Sequence, residues 1–180
     1  MQTDAAVVRA SLRTPHEFSA LFDRHFDAVH AFAQRRVGSD LAAEIAAETF
    51  THAFARRRSY DVSRPDARPW LLGIASNLLR RHWRSEHRRL SAYARAVERT
   101  DAPVRGRVSD ELIAALDALS KDERETLFLY ALADLSYDEI AAALGCPVGT
   151  VRSRLSRARG RLRAELRGAT PHDLEESVHA

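Results

Sequence analysis

One cysteine, one lysine, seven glycines and six prolines in 180 residues are the scarcities that bound this chain. With only Cys146, an internal disulfide and any multi-cysteine zinc site are excluded. So little glycine and proline leaves few turns for a β fold. Apolar residues instead recur three and four apart nearly throughout, and an all-α fold is expected. No apolar run approaches the ~20 residues of a membrane span, and the N-terminus lacks a secretory signal pattern. No membrane insertion is expected, and a cytoplasmic location follows. Glycine-rich phosphate loops and nucleophile elbows are missing too, so the chain is not expected to be an enzyme. His25 and His30, like His82 and His87, stand five apart, off the register of two ligands on one helix face, so neither a metal nor a cofactor is expected.

Because Lys121 is the only lysine, nearly all positive charge is guanidinium. Its distribution says more than the net value of +3. Residues 1–50 are net −2, 51–100 net +8, 101–140 net −6, 141–168 net +6, and the remainder net −3. Two basic blocks separated by an acidic one point to two contacts with a polyanion and to other surfaces kept for protein.

The hydrophobic content of 45% suffices for packed cores, and the periodicity divides them into two small helical domains joined by a linker. In the first, residues 14–89, Thr14-Pro15-His16-Glu17 reads as a capping box with proline at the first helical position. That helix buries Phe18, Leu21, Phe22, Val29 and Phe32 and ends near Gly38. Ser39 or Asp40 caps a second helix whose apolar face runs from Leu41 through Ile45, Phe50 and Phe54. Residues 59–68 are a loop, and Pro69 opens a third helix that runs on through Arg80 and Arg81. Residues 90–108 lose the periodicity and read as a linker, partly helical at its start. The second domain, 109–168, has Ser109 capping one helix, then a Ser120–Glu123 capping box before Leu127, Phe128, Tyr130, Ala131 and Leu132. An acidic tail, 169–180, closes the chain.

Residues 135–167 carry the strongest signal. Ser136 and Glu139 form another capping box, Gly145 suits a left-handed helix end, and Pro147 suits the first turn of the next helix. Val151, Leu155, Ala158 and Leu162 then define a buried face. The opposite face carries Ser153, Ser156 and Arg157, flanked by Arg152, Arg154, Arg159, Arg161 and Arg163. This is a helix-turn-helix whose second helix offers hydroxyls and guanidiniums to a major groove. Thr150, Arg152, Ser153, Arg154, Ser156, Arg157, Arg159 and Arg161 are the residues expected on duplex DNA.

Two further constellations stand out. Asp40, Glu44 and Glu48, at four-residue spacing, line one helix edge beside an apolar stripe, and such mutually repelling acids suit a basic partner helix. The segment from Tyr60 to Arg89 interleaves aromatics with arginines, a mixture suited to an unpaired strand. There Tyr60 is the best candidate for base stacking, with a merely packed ring as the open alternative, Trp70 reads as core, and Trp83 fits either role.

Together these features resemble the extracytoplasmic-function (ECF) group of bacterial RNA polymerase sigma factors, over residues 16–89 and 110–167. The quoted stretches are FSALFDRHFDAVHAFAQRRV, SDLAAEIAAETFTHAFAR, RPWLLGIASNLLRRHWR and the helix-turn-helix. The resemblance implies a non-enzymatic subunit that binds core RNA polymerase, with Asp40, Glu44 and Glu48 on the clamp coiled coil of its largest subunit. Ala47 stands where the family commonly has glutamine, and Glu44-Ile45 where Asp-Val is commoner. It implies Tyr60, Asn77, Arg80, Arg81 and Arg84 on the single strand of a −10 element. Arg152, Ser153, Ser156 and Arg157 match base-reading positions for the duplex −35 element, and an anti-sigma factor is an implied partner. A stand-alone helix-turn-helix regulator with an N-terminal sensing or dimerising domain is the alternative. It fits poorly with residues 51–100 being the most basic part of the chain.

Overall fold

The computed structural model describes residues 2–96 and 110–168, with side chains followed to Trp83 in the first block. Among these residues it has eight α-helices and no strand: α1 Asp4–Ser11, α2 Ser19–Val37, α3 Ser39–Arg56, α4 Arg68–Ala96, α5 Asp110–Asp117, α6 Lys121–Ala133, α7 Tyr137–Leu144 and α8 Val148–Gly168. The fold is therefore all-α, four helices to each half.

Helix α1 has no counterpart among the expected elements. It is held by Asp4, whose carboxylate accepts from Arg24 at 2.8 Å, from the Ala67 amide at 2.9 Å and lies 2.6 Å from His25 Nε2. Those contacts pull its pKa down against the opposing push of burial. Asp66 completes a group with the spacing of metal ligands, but the Asp4 oxygens are already taken, so Asp4 reads as an anchor for the N-terminus.

The expected Thr14 capping box does not form. Pro15–Phe18 winds as a 3₁₀ turn, Thr14 (φ −124°, ψ 87°) makes no side-chain cap, and α2 starts at Ser19. Neither Ser39 nor Asp40 caps α3. Its N-cap is Gly38, whose φ of 79° turns the chain sharply between α2 and α3, while the Ser39 hydroxyl spends itself on Asp40. Leu21, Val29 and Phe32 of α2 pack on Ala42, Ile45, Ala46 and Phe50 of α3 and on Leu71, Leu72, Leu78 and Leu79 of α4. Phe22 and Phe54, expected inside, keep about two-fifths of their surface exposed, at 40% and 36%.

In the second half the sequence signals translate into geometry. Ser120 with Glu123 and Ser136 with Glu139 are reciprocal capping boxes, and Gly145 takes the left-handed φ of 62° that ends α7. Helix α6 is the exception. Its fully buried residues are Leu129 and Thr126, with Glu123 and Glu125 also inside, whereas Tyr130 and Ala131 face solvent. The helix is rotated because its acids have arginine partners on neighbouring helices. Ser109 lies outside the described residues.

The halves do not stand apart. A single core cluster runs through both, and α7 crosses α4 so closely that a Cβ at Gly73 would overlap the carbonyl oxygen of Ala143. Arg36 of α2 donates to both oxygens of Glu125 in α6, at 2.7 and 2.9 Å, and the Ser76 hydroxyl of α4 donates to the same carboxylate. Arg35 and Arg68 donate to the last carbonyls of α6, those of Leu132 and Ala133, where a helix end favours cations.

Candidate nucleic-acid interface

The buried side of α8 consists of Val151, Leu155 and Ala158, all below 2% exposed, packed on α5, α6 and α7. Fixing that side fixes the other. Arg152, Ser153, Ser156, Arg157 and Arg161 are exposed, and Thr150, Arg154 and Arg159 are half-buried. At 100° per residue these hydroxyls and guanidiniums form a strip covering about 220° of the helix, with Ser153 and Ser156 near the centre and Arg159 and Arg154 at the margins. The Ser153 hydroxyl is turned back on the Thr150 carbonyl at 3.0 Å.

The arginines of this strip differ in what holds them, which the sequence did not disclose. Arg154 pairs with Asp122 and reaches Cys146 Sγ at 3.8 Å, and Arg159 lies over the Tyr130 ring at 5.0 Å. Arg157 Nε and Arg161 Nη1 both converge on Glu123, at 3.1 and 2.9 Å. Arg152 has no hydrogen bond or ion pair among the described residues. Burial alone would raise the pKa of Glu123. Hydrogen bonds from Ser120 and Arg157 and the charge of Arg161 outweigh it and hold the carboxyl below the usual glutamate range.

On α4, Asn77 and Arg81 are exposed and Arg80 is half-buried, its Nη2 donating to Asn77 Oδ1 at 2.8 Å. The side chain of Arg84 lies outside the described residues. Tyr60 takes the packed alternative in the free protein. Its ring is 6% exposed, tilted against Trp70 at 5.0 Å, and its hydroxyl donates to the Arg64 carbonyl at 2.7 Å. Burial, with nearby carboxylates, pushes its pKa up to about 12. A polar loop does not expose such a ring, because a tyrosine can bury it and satisfy its one hydroxyl on a nearby carbonyl. The exposed aromatic of this region is Trp83, at 44%. A cleft of about 280 Å³ separates the two surfaces, lined by Ser76, Asn77 and Arg80 of one half and Asp122, Gly145 and Arg154 of the other.

On α3, Asp40, Glu44 and Glu48 are all exposed, as expected, with Glu48 lying 3.3 Å from His52.

A helix-turn-helix with a cationic outer face, beside a second arginine-rich helix, is the arrangement of a two-module DNA-binding protein. The comparisons narrow this class. The Sigma-70 region 2 model matches residues 21–90 and the Sigma-70, region 4 model matches residues 109–162. The chain is 33% identical over 159 residues to the ECF RNA polymerase sigma factor EcfG of Rhodopseudomonas palustris, covering 84% of this chain and 87% of that protein. It is 39% identical over 144 residues to the ECF RNA polymerase sigma factor SigC of Mycobacterium tuberculosis, covering 77% and 74% respectively. Among solved structures, CnrH in complex with the cytosolic domain of CnrY aligns with a TM-score of 0.63 at 25% identity, over 93% of this chain and 99% of that one. The sigma factor RpoE in complex with the anti-sigma factor NepR, from Bartonella quintana, gives 0.58 at 27%, over 86% and 99%. The chain belongs to the ECF group of the sigma-70 family. It is a transcription initiation factor and not an enzyme: it binds core RNA polymerase and directs initiation at promoters with −10 and −35 elements. A stand-alone regulator is set aside, since the N-terminal half matches a sigma module rather than a sensor. Among the described residues no helix is long and apolar enough to cross a membrane.

Proposed function

We propose that the three surfaces divide the work of initiation, with residues 14–89 and 109–168 as the two working units. In this reading α8 enters the major groove of the −35 element. Arg152, Ser153, Ser156 and Arg157 reach base edges, while Thr150, Arg154, Arg159 and Arg161 grip the backbone. The exposed strip over a buried Val151–Leu155–Ala158 face is the observation that carries it, because any rotation of α8 that hid the strip would expose that core. On α4, Asn77, Arg80, Arg81 and Arg84 track the unpaired −10 strand. Stacking falls to Trp83 rather than Tyr60, and stacked bases are worth about 1–3 kcal/mol each. Asp40, Glu44 and Glu48 dock on basic residues of the polymerase clamp coiled coil. An anti-sigma factor of the kind bound to the relative RpoE controls access to these faces, and the protein works in the cytoplasm.

The test uses this chain assembled with core polymerase. Alanine at Arg152 should relax preference at one position of the upstream element and lose about 1–3 kcal/mol on the preferred sequence. Alanine at Arg159 or Arg161 should weaken all sequences alike and flatten the salt dependence. If both classes of variant leave promoter choice and salt slope untouched, α8 is not the reader.

A further inference from the structure

We infer that Glu123 is a positioning residue for promoter reading: from the first turn of α6 it holds Arg157 and Arg161 of α8 in fixed orientation, so that their outer nitrogens meet the upstream duplex already aimed. The inference rests on the proposed reading of that duplex by α8.

Three observations converge on it. First, the cap does not need the charge. A capping box asks its third residue only to accept the N-cap amide, which glutamine does as well as glutamate. Here Glu123 Oε2 accepts the Ser120 amide at 3.0 Å, and the same carboxylate takes Arg157 on Oε1 and Arg161 on Oε2. The negative charge is matched to the two guanidiniums and not to the cap.

Second, the arginines are held by their inner sides. Arg157 donates through Nε, which leaves both terminal nitrogens, with four N–H donors, outside the pair. Arg161 donates through Nη1 alone. Their side chains remain 58% and 50% exposed while Glu123 is 4% exposed beneath them. A salt bridge made for stability would hide the cations along with the anion, and this one hides only the anion.

Third, the neighbouring Arg152 has no such partner among the described residues and must be ordered by DNA itself. An arginine ordered before binding loses less rotamer freedom on contact and keeps its fork in one plane.

The electrostatic sign separates this role from simple attraction. Glu123 subtracts one negative charge's worth of affinity from a surface facing phosphates. Removing that charge should therefore leave non-specific binding equal or tighter, and discrimination poorer.

The experiment uses the full chain with core polymerase and a library of duplexes randomised over the upstream element. Glu123→Gln, which retains the cap, should lower the enrichment of preferred over non-preferred sequences about tenfold, the equivalent of about 1.4 kcal/mol. Non-specific retention should not fall. Ser120→Ala is the structural control: it should lower the melting temperature and leave the enrichment intact. On the full chain alone, the Arg157 Nε–H resonance should be ordered in the wild type and averaged in Glu123→Gln. Unchanged enrichment in Glu123→Gln, an unchanged Arg157 resonance, or an equal loss in Ser120→Ala overturns the positioning role. Alanine at Arg157 and Arg161 together separates the two readings. If that variant loses selectivity where Glu123→Gln does not, only the role of Glu123 falls; if neither does, the reading by α8 falls with it.

Discussion

Replacing Glu125 by alanine tests whether the two halves are clasped by one buried ion pair. The side chains of Arg36 and Glu125 are 3% and 8% exposed, bonded at 2.7 and 2.9 Å, with Ser76 on the same carboxylate and the Arg36 guanidinium 4.6 Å above the Phe128 ring. Removing one partner of a buried pair costs about 3–5 kcal/mol, because the other charge stays desolvated and unpaired. The stranded guanidinium has a cheap escape: α2 need only part from α6 for it to reach water. The expected result is therefore an opened molecule rather than an unfolded one. Small-angle scattering should show a radius of gyration above the roughly 16 Å of a compact chain of this length. If the halves stay together, the cost must appear in the melt instead, as a fall of about 10 °C at roughly 2–4 °C per kcal/mol. Arg36→Met with Glu125→Met should restore compactness, since apolar replacement of both partners is near neutral or stabilising. An unchanged radius together with a melt within a degree of wild type would refute the clasp.

Gly73→Ala attacks the same contact sterically: the new methyl collides with the Ala143 backbone, so the molecule should open in scattering even though alanine favours α4 by up to about 1 kcal/mol. Leu155→Ala, at a site 1% exposed, should destabilise the second half by about 2–5 kcal/mol in a thermal melt, with the first half intact. Tyr60→Phe should lose about 1 kcal/mol with its bond to Arg64 and leave permanganate reactivity of the melted promoter unchanged; a reduced footprint at wild-type stability would return Tyr60 to the strand-binding surface. Glu139 has a folded pKa held below 4.5 by the Ser136 side chain and amide, against the opposing push of burial. Glu123 is depressed likewise, so both stabilise fully above the ordinary glutamate value of 4.5 and cease to as pH falls through their folded values. Stability measured against pH should thus drop below about 4.5, and Glu139→Gln should flatten part of the slope.

The second half was legible because its signals are local. A capping box, a left-handed glycine and a four-residue apolar period each involve neighbours in sequence, and Ser120, Ser136, Gly145, Val151 and Leu155 all sit where those rules put them. What failed depended on distant partners. The apolar period of α6 predicts a face from Leu127 to Leu132, yet Glu123 and Glu125 turn inward because Arg157, Arg161 and Arg36 meet them across 34, 38 and 89 residues of chain. No periodicity records such pairings. Likewise α1 is a helix of eight residues whose place depends on Asp4 finding Arg24 and the Ala67 amide. The place of Tyr60 is open in the sequence for the same reason: its loop is polar, and the ring it leans on, Trp70, lies ten residues away beyond two prolines.

The charge blocks acquire a second meaning from these pairings. The acidic stretch between the basic ones serves partly as the counter-surface to the chain's own arginines, with Arg36 on Glu125, Arg154 on Asp122, and Arg157 and Arg161 on Glu123. A contact of this kind is suited to being undone. Each charged group regains its hydration on separation, which offsets part of the cost of exposing the apolar contacts of α4 with α7. Parting is also required by length. Elements named −35 and −10 lie about 25 base pairs apart, about 85 Å at 3.4 Å per pair, whereas a compact chain of this size is only about 40 Å across. The Gly145 turn lies beside Ser76, Asn77 and Arg80 across one cleft, so on the proposed reading of α4 and α8 both elements cannot be held at once in this arrangement. On that proposed reading, polymerase binding supplies the energy that the Arg36–Glu125 pair and the Gly73–Ala143 contact give up. Variants that weaken those contacts should bind core enzyme more tightly than wild type, by up to the interdomain free energy they release; titration of Glu125→Ala against core polymerase that shows equal or weaker affinity would contradict this coupling.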